Sequence, residues 1–170
     1  NPVGSFCRTF LLPEEWGNDK EIILHLAGAG PAAFIWINGE KVGYTQDPRL
    51  PAEFSINKYL KKGENLLAIE VYKYCDGSYL EDQDFWRLSG IFRDVFIRAV
   101  PKISLWDIYA QPELDLSSHK GKINLHYTPA NFTEKRDSDY KINISVFSPL
   151  GKKLVNKNFK IKDFAPGFGK

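Results

Sequence analysis

The sequence predicts an all-β protein, and three observations support that prediction. Short apolar runs recur along residues 1–100 and are separated by turn residues, a pattern typical of β-sandwiches and jelly rolls. Asn38-Gly39 lies between two such runs, and this pair is typical of a type I′ hairpin turn, which needs positive φ at both positions. After Pro101, apolar and polar residues alternate, as in strands with one buried face.

Composition limits the classes of function. The 170 residues suit one or two domains, and a net charge of +2 implies no strong nucleic-acid or membrane field. No apolar run reaches the length of a membrane span, and the first residues show no signal-peptide pattern. The sequence contains no Met, which favours a piece excised from a longer protein. Cys7 and Cys75 follow no metal spacing, and we expect buried free thiols that leave the compartment undetermined.

The first domain is predicted to hold six strands. Ser55 is expected to cap one helical turn at 56–60, which Gly63 would end. Residues 46–54 contain two prolines and are expected to cross irregularly between strands. His25 lies on an apolar run and is interpreted as a satisfied core residue. The predicted strands are 5–10, 21–27, 33–37, 40–44, 66–74 and 91–100.

Pro101 is interpreted as a domain boundary, with a first domain at 1–101 and a second at 102–170. Alternation within 122–127 and 140–146, and a returning strand at 155–161, resemble part of an immunoglobulin-like sandwich. Such a sandwich needs about seven strands and about 100 residues. Only roughly four strands fit after the boundary. The second domain is therefore predicted to be incomplete.

Residues 76–95 show neither the strand nor the helix period, so we interpret them as a long loop presented by a sheet. Loops of this length in compact domains are usually functional or disordered, and the aromatic content argues against disorder. The segment before Leu88 carries four carboxylates and three aromatic rings: Asp76, Glu81, Asp82, Asp84, Tyr79, Phe85 and Trp86.

Asp82 and Asp84 beside Trp86 suit a carbohydrate contact. Ionised oxygens accept hydrogen bonds strongly from hydroxyls, and an aromatic face covers the apolar side of a pyranose. The same carboxylates suit a hard cation, although the spacing is not that of an EF-hand. The alternative is an acidic solvated loop above a buried Trp86, with Arg87 pairing locally.

The motifs of the first hundred residues resemble the N-terminal sugar-binding domain of glycoside hydrolase family 2. The portion Ser89-Gly-Ile-Phe-Arg-Asp-Val95 is similar across that family, and Glu81-Asp-Gln-Asp-Phe-Trp86 resembles the large bacterial β-galactosidases. The supporting matches run in unbroken order: Trp36-Ile-Asn-Gly39, Val42-Gly-Tyr44, Gln46-Asp-Pro-Arg-Leu-Pro-Ala-Glu-Phe54 and Gly63-Glu-Asn65.

This resemblance implies a jelly-roll first domain, an immunoglobulin-like second domain and a (β/α)₈ barrel that this chain lacks. The barrel would hold the two glutamates of a retaining mechanism. The parent would then hydrolyse terminal non-reducing β-D-galactosides, use Mg²⁺ and Na⁺, and form a homo-oligomer in the bacterial cytoplasm or periplasm. The fragment alone is expected to be inactive and to need no cofactor. The alternatives are a stand-alone carbohydrate-binding module or lectin, and an immunoglobulin-like adhesion protein.

The resemblance also implies roles for six residues. Asp84 matches the aspartate that contacts galactosyl hydroxyls and helps to bind sodium. Gln46 and Asp76 match two ligands of a peripheral magnesium site whose other ligands this chain lacks. Trp86 is interpreted as a packing residue, and Arg87 and Arg93 as supports for the loop or the barrel interface.

Overall fold

The computed structural model describes residues 1–81, 83–84, 86–135, 140–161 and 165–168. Nearly every element is a β-strand, which confirms the predicted all-β fold. None of the helices within these ranges is long and apolar enough to cross a membrane. The chain divides into two compact units, Asn1–Pro101 and Lys102–Lys170.

Unit one is built from two antiparallel sheets whose facing sides form the core. One sheet has the order β1-β7-β4-β5, the other has the order β6-β2-β9, and β3 pairs with β8. Leu24, Ile35 and Ile69 come from both sheets and are at most 3% exposed. Each such side chain contributes roughly 1.5–3 kcal/mol by leaving water. The strands are β1 (Val3–Phe10), β2 (Lys20–Leu26), β3 (Ala29–Gly30), β4 (Ala32–Ile37), β5 (Glu40–Thr45), β6 (Ala52–Ser55), β7 (Asn65–Tyr72), β8 (Gly90–Ile91) and β9 (Val95–Pro101).

The hairpin between β4 and β5 forms as predicted. Asn38 and Gly39 have φ angles of 53° and 86°, the positive values that a type I′ turn requires. The Asn38 side chain also donates hydrogen bonds to the Tyr59 carbonyl and to Asn65 Oδ1, both at 2.8 Å. The turn therefore anchors the neighbouring loop as well as reversing the chain.

The helical turn near Ser55 differs from its prediction. It is a 3₁₀ helix, Asn57–Tyr59, and it has no side-chain cap. The Ser55 hydroxyl donates to the Glu21 carboxylate instead. Asn57 joins the turn to β2, because its Oδ1 accepts the Ile22 N–H at 2.7 Å.

The prediction that both cysteines are buried free thiols is partly wrong. Both cysteines are free, but Cys7 is exposed and Cys75 only half-buried, so the expected burial is wrong for Cys7. Cys7 lies on β1, which is an edge strand with an exposed face.

His25 Nδ1 lies 2.7 Å from Glu53 Oε1, and its ring stacks on Phe96. His25 is thus a satisfied, half-buried structural residue.

Unit two contains two groups of antiparallel strands. β11 lies between β10 and β14, and β12 pairs with β13. The sequence prediction missed β10. A register shift between Leu105 and Asp107 interrupts its alternation, and Pro112 lies on this edge strand, where its lack of an N–H is tolerated. The strands are β10 (Ile103–Asp115), β11 (Lys120–Asn131), β12 (Tyr140–Phe147), β13 (Lys153–Ile161) and β14 (Gly167–Phe168).

Candidate functional site

The loop at 76–95 follows β7 within unit one, contains β8 and ends where β9 begins. It begins with a short helix, α1 (Gly77–Leu80), that the sequence analysis did not predict. The Asp76 side chain caps this helix by accepting the Gly77 N–H at 3.1 Å. The expected strand at 91–100 is divided into β8 and β9, and residues 92–94 interrupt it.

A relay of side-chain hydrogen bonds ties the start of the loop to β5. The Tyr44 hydroxyl donates to Gln46 Oε1 at 2.8 Å, and Gln46 Nε2 donates to Asp76 Oδ1. Burial raises the pKa of the Tyr44 phenol, and the nearby Cys75 and Asp76 raise it further. Tyr44 therefore keeps its proton at neutral pH and remains a donor.

Arg87 holds the middle of the loop. Its Nη1 donates to the Ser78 carbonyl oxygen at 3.1 Å, and its guanidinium lies 5.8 Å from the centroid of the Tyr74 ring. A planar guanidinium can donate hydrogen bonds and face an aromatic ring at the same time. Arg87 thus joins the segment after Asp84 to α1.

Arg93 connects the far end of the loop to two other loops of unit one. Its Nη1 donates to the Arg49 carbonyl at 2.9 Å and to the Ala27 carbonyl at 3.4 Å. Backbone bonds from Phe92 to Gly28 and from Ala27 to Asp94 reinforce the same corner. Segments 27–30, 46–51 and 90–95 are therefore held together there.

Asp84 lies on the loop between these attachments. It is exposed and has a φ of 51°. Within the described ranges, its carboxylate accepts no hydrogen bond and forms no ion pair. A free, ionised carboxylate can accept strong hydrogen bonds from the hydroxyl groups of a ligand. Asp82 and Phe85, the other candidates in this segment, lie outside the described residues.

The interpretation of Trp86 as a packing residue does not hold within this chain. Its side chain is 87% exposed, and Leu80 and Leu88 are 81% and 73% exposed. All three side chains belong to the loop at 76–95, which therefore exposes several large apolar groups to solvent. We call Leu80, Trp86 and Leu88 the apolar rim of the loop.

Gln46 and Asp76, the magnesium ligands implied by the resemblance, lie within hydrogen-bonding distance of each other. Each side chain carries an oxygen atom, the ligand type that Mg²⁺ takes, so the pair would supply two ligands of such a site. Across the described ranges, no cluster of three or more His, Cys, Asp or Glu side chains is placed to hold a metal. Asp84 does fit as one oxygen ligand of a cation, because its carboxylate has no described partner.

An apolar cleft elsewhere in unit one is a poor candidate for a sugar site. It has a volume of about 590 Å³ and lies between the edge strands β1 and β9. Its walls include Phe10, Trp16 and Ile97, with Arg8 as its single charged residue. A sugar needs several converging polar groups, which this lining does not supply.

Comparison with known families decides the affiliation. Residues 1–101 match the family model described as "Glycosyl hydrolases family 2, sugar binding domain". The chain belongs to glycosyl hydrolase family 2. This match confirms the family resemblance that the sequence motifs carried. It also confirms the assignment of residues 1–101 to the sugar-binding domain of that family.

Curated relatives of this family 2 chain are β-galactosidases. The β-galactosidase of Priestia megaterium is 41% identical over 155 residues, which covers 91% of this chain and 15% of the relative. That of Clostridium acetobutylicum is 46% identical over 124 residues, which covers 73% of this chain and 14% of the relative. The chain therefore spans about one seventh of the length of these relatives.

Solved structures share the fold. The β-glucuronidase 2 of Bacteroides uniformis superposes with a TM-score of 0.73 at 25% identity, covering 98% of this chain and 20% of that one. A β-glucuronidase of Bifidobacterium dentium gives a TM-score of 0.79 at 21% identity, covering 98% of this chain and 32% of that one. At 21% identity, the likeness to the Bifidobacterium dentium structure establishes the fold alone.

Sequence reasoning missed Tyr44 as part of the site. A signal was present, because residues two positions apart on a strand share one face. Tyr44 on β5 and Gln46 just after it are such a pair, and Gln46 was already a candidate.

Proposed function

We propose that this chain is the non-catalytic N-terminal part of a β-galactosidase and contributes its loop at 76–95 to an active site completed by other domains. The identities of 41% and 46% to named β-galactosidases support the galactoside over the glucuronide as substrate class. The parent enzyme would hydrolyse terminal non-reducing β-D-galactosides with retention, using glutamates of a barrel domain. The 170 residues alone would be inactive.

This proposal rests on the exposure of the Asp84 carboxylate and on its lack of a described partner. Its carboxylate is exposed and unpartnered within the described ranges, although the loop around it is attached at Asp76, Arg87 and Arg93. A free carboxylate on an anchored loop can accept hydrogen bonds from sugar hydroxyls. In the parent, Asp84 would accept hydrogen bonds from the galactosyl ring and serve as one ligand of a bound sodium ion.

The apolar rim supports the existence of a partner domain. Leu80, Trp86 and Leu88 are all more than 70% exposed and lie on the same loop as Asp84. Contact with the barrel would remove these side chains from water and bring Asp84 to the mouth of the barrel. Arg87 and Arg93 would hold the loop in shape for that contact.

The test compares Asp84→Ala with Glu81→Ala in the full-length parent enzyme. Glu81 is an exposed carboxylate of the same loop and serves as the matched control. We expect Asp84→Ala to lower kcat/KM for a β-galactoside by roughly 10- to 100-fold, because a charge-assisted contact is lost. We expect Glu81→Ala to stay within about twofold. Equal losses in the two variants would remove Asp84 from the proposed role.

A further inference from the structure

We propose that Asn38 is a modification site, at which spontaneous deamidation proceeds only when the hairpin between β4 and β5 opens. Asn38-Gly39 is the only Asn-Gly pair in the sequence. Asn-Gly deamidates readily, because glycine has no Cβ to shield its main-chain nitrogen. The modification would remove an anchor of unit one that the folded chain protects.

The reaction joins two neighbouring groups of the turn. The Gly39 main-chain nitrogen attacks the side-chain carbonyl carbon of Asn38, and Asn38 Nδ2 leaves as ammonia with the proton of the Gly39 N–H. The product is a cyclic succinimide, which water opens to aspartate or isoaspartate. No electrons are transferred, and water is the only other reactant. Either product carries a carboxylate where the neutral amide stood.

Three hydrogen bonds restrain the Asn38 side chain in the folded chain. Its Nδ2 donates to the Tyr59 carbonyl and to Asn65 Oδ1, both at 2.8 Å, so both hydrogens of the amide are used. Its Oδ1 accepts the Leu66 N–H at 3.0 Å. The departing Nδ2 must lose both of its bonds, so this anchor has to open before Asn38 can react.

Access of water does not limit the reaction. Gly39 is exposed, and a Cβ added there would meet no atom within 4 Å. The Asn38 side chain is only half-buried. Because the hydrogen bonds rather than burial protect the site, the rate of deamidation follows the population of locally opened molecules.

Deamidation would leave oxygen atoms facing oxygen atoms. The Asn65 amide cannot turn to donate, because its Nδ2 already donates to the Lys61 and Gly63 carbonyls. A carboxylate at position 38 would therefore face two acceptors, Asn65 Oδ1 and the Tyr59 carbonyl. Isoaspartate would also lengthen the main chain of a two-residue turn that sets the hairpin register. Both products would weaken unit one.

Peptide mapping by mass spectrometry tests the protection on the 170-residue chain. The chain is incubated in mildly alkaline buffer, either folded or in denaturing urea, and the deamidated fraction at Asn38 is followed. We expect deamidation to be at least about tenfold slower in the folded chain, because the anchor must open first. A synthetic peptide of residues 34–43, with and without urea, corrects for any effect of the denaturant. Equal rates in the folded and unfolded chain would overturn the proposal.

Two variants separate the anchor from general stability. We expect Asn65→Ala to speed deamidation of the folded chain by about three- to tenfold, because one acceptor of Asn38 is lost. Asn57→Ala is the matched control, since it removes side-chain bonds to Ile22 and Lys20 and leaves those of Asn38 in place. Its rate should stay within about twofold. Equal acceleration by both variants would contradict the role of the anchor, and the comparison in urea requires neither variant to fold.

Asn38→Asp measures the consequence of the modification. We expect its unfolding equilibrium constant in urea to rise by roughly 10- to 100-fold, since an acceptor replaces a donor that has two partners. Asn18→Asp adds the same charge at an exposed turn position and should stay within about twofold. An Asn38→Asp chain as stable as the unmodified chain would also overturn the proposal.

Discussion

Arg87 Nη1 donates a hydrogen bond to the Ser78 carbonyl oxygen at 3.1 Å, across nine positions of sequence. This bond joins the two ends of the segment from Ser78 to Arg87, which contains Asp84 and begins on α1. The Arg87 guanidinium also lies 5.8 Å from the centroid of the Tyr74 ring, within the range of a cation–π contact. The exposed loop therefore has an internal attachment that does not depend on a buried core.

Replacing Arg87 with Ala should separate the two ends of this segment. We expect chymotrypsin to cleave the 170-residue chain after Tyr79, Leu80 or Trp86 about three to ten times faster, because the closing hydrogen bond is lost. Arg8→Ala is the control, since Arg8 is an exposed arginine on β1. Equal cleavage rates for Arg87→Ala and Arg8→Ala would show that Arg87 does not restrain the loop.

Gly30 permits close packing of segment 46–51 against the β3–β8 pair. A Cβ at this position would lie 2.5 Å from Pro48 Cβ and 3.2 Å from Pro48 Cα. We expect Gly30→Ala to lower the free energy of unfolding of unit one by about 1–3 kcal/mol. Urea unfolding measures this value. Gly121→Ala meets nothing closer than 4.0 Å and should change stability by less than about 1 kcal/mol, so a comparable loss there would contradict the steric argument.

Asp115 should titrate well below its ordinary pKa of 3.8. Hydrogen bonds from the Ser117 and Ser118 hydroxyls, at 2.6 and 2.5 Å, lower the pKa of this carboxyl, and the backbone N–H groups of the two serines lower it further. Because the folded pKa is the lower one, the stabilisation is present above pH 3.8. It is lost as the pH falls through the folded pKa. Ser117→Ala should raise the pKa toward 3.8, as followed by carboxyl ¹³C NMR, and an unchanged pKa would contradict this.

The isolated 170-residue chain should not bind galactose or lactose measurably. Asp84 and Trp86 are exposed on a loop, and binding requires a concave site that buries most of the ligand. Isothermal titration calorimetry at millimolar sugar should show only heats of dilution, and the full-length parent provides the positive control. Saturable heat from the isolated chain would favour a stand-alone carbohydrate-binding module.

Local chemistry made much of the fold predictable. The turn at Asn38-Gly39 forms because only a few residue types tolerate its positive φ angles. The alternation around Ile142 and Ile144 predicted β12 for the same kind of reason, since a strand with one buried face repeats every two residues. Strand β10 was missed because its register shift near Trp106 interrupts that repeat.

Long-range contacts of the site were not predictable in the same way. Gln46 and Asp76 meet across 30 positions of sequence, and no local pattern encodes that contact. The family resemblance placed both residues together, as two ligands of one metal site. Trp86 was interpreted as a packing residue at a position that matches the family, yet it is 87% exposed in this chain.

The most direct test of the central claim is a crystal structure of the full-length parent enzyme with galactose bound. We expect an Asp84 carboxylate oxygen to lie about 2.5–3.0 Å from a galactosyl hydroxyl oxygen, the distance of an O–H···O⁻ hydrogen bond. We also expect Trp86 to be covered by the barrel domain. A galactose bound in the barrel with Asp84 still facing solvent, beyond hydrogen-bonding distance of every hydroxyl, would contradict the account.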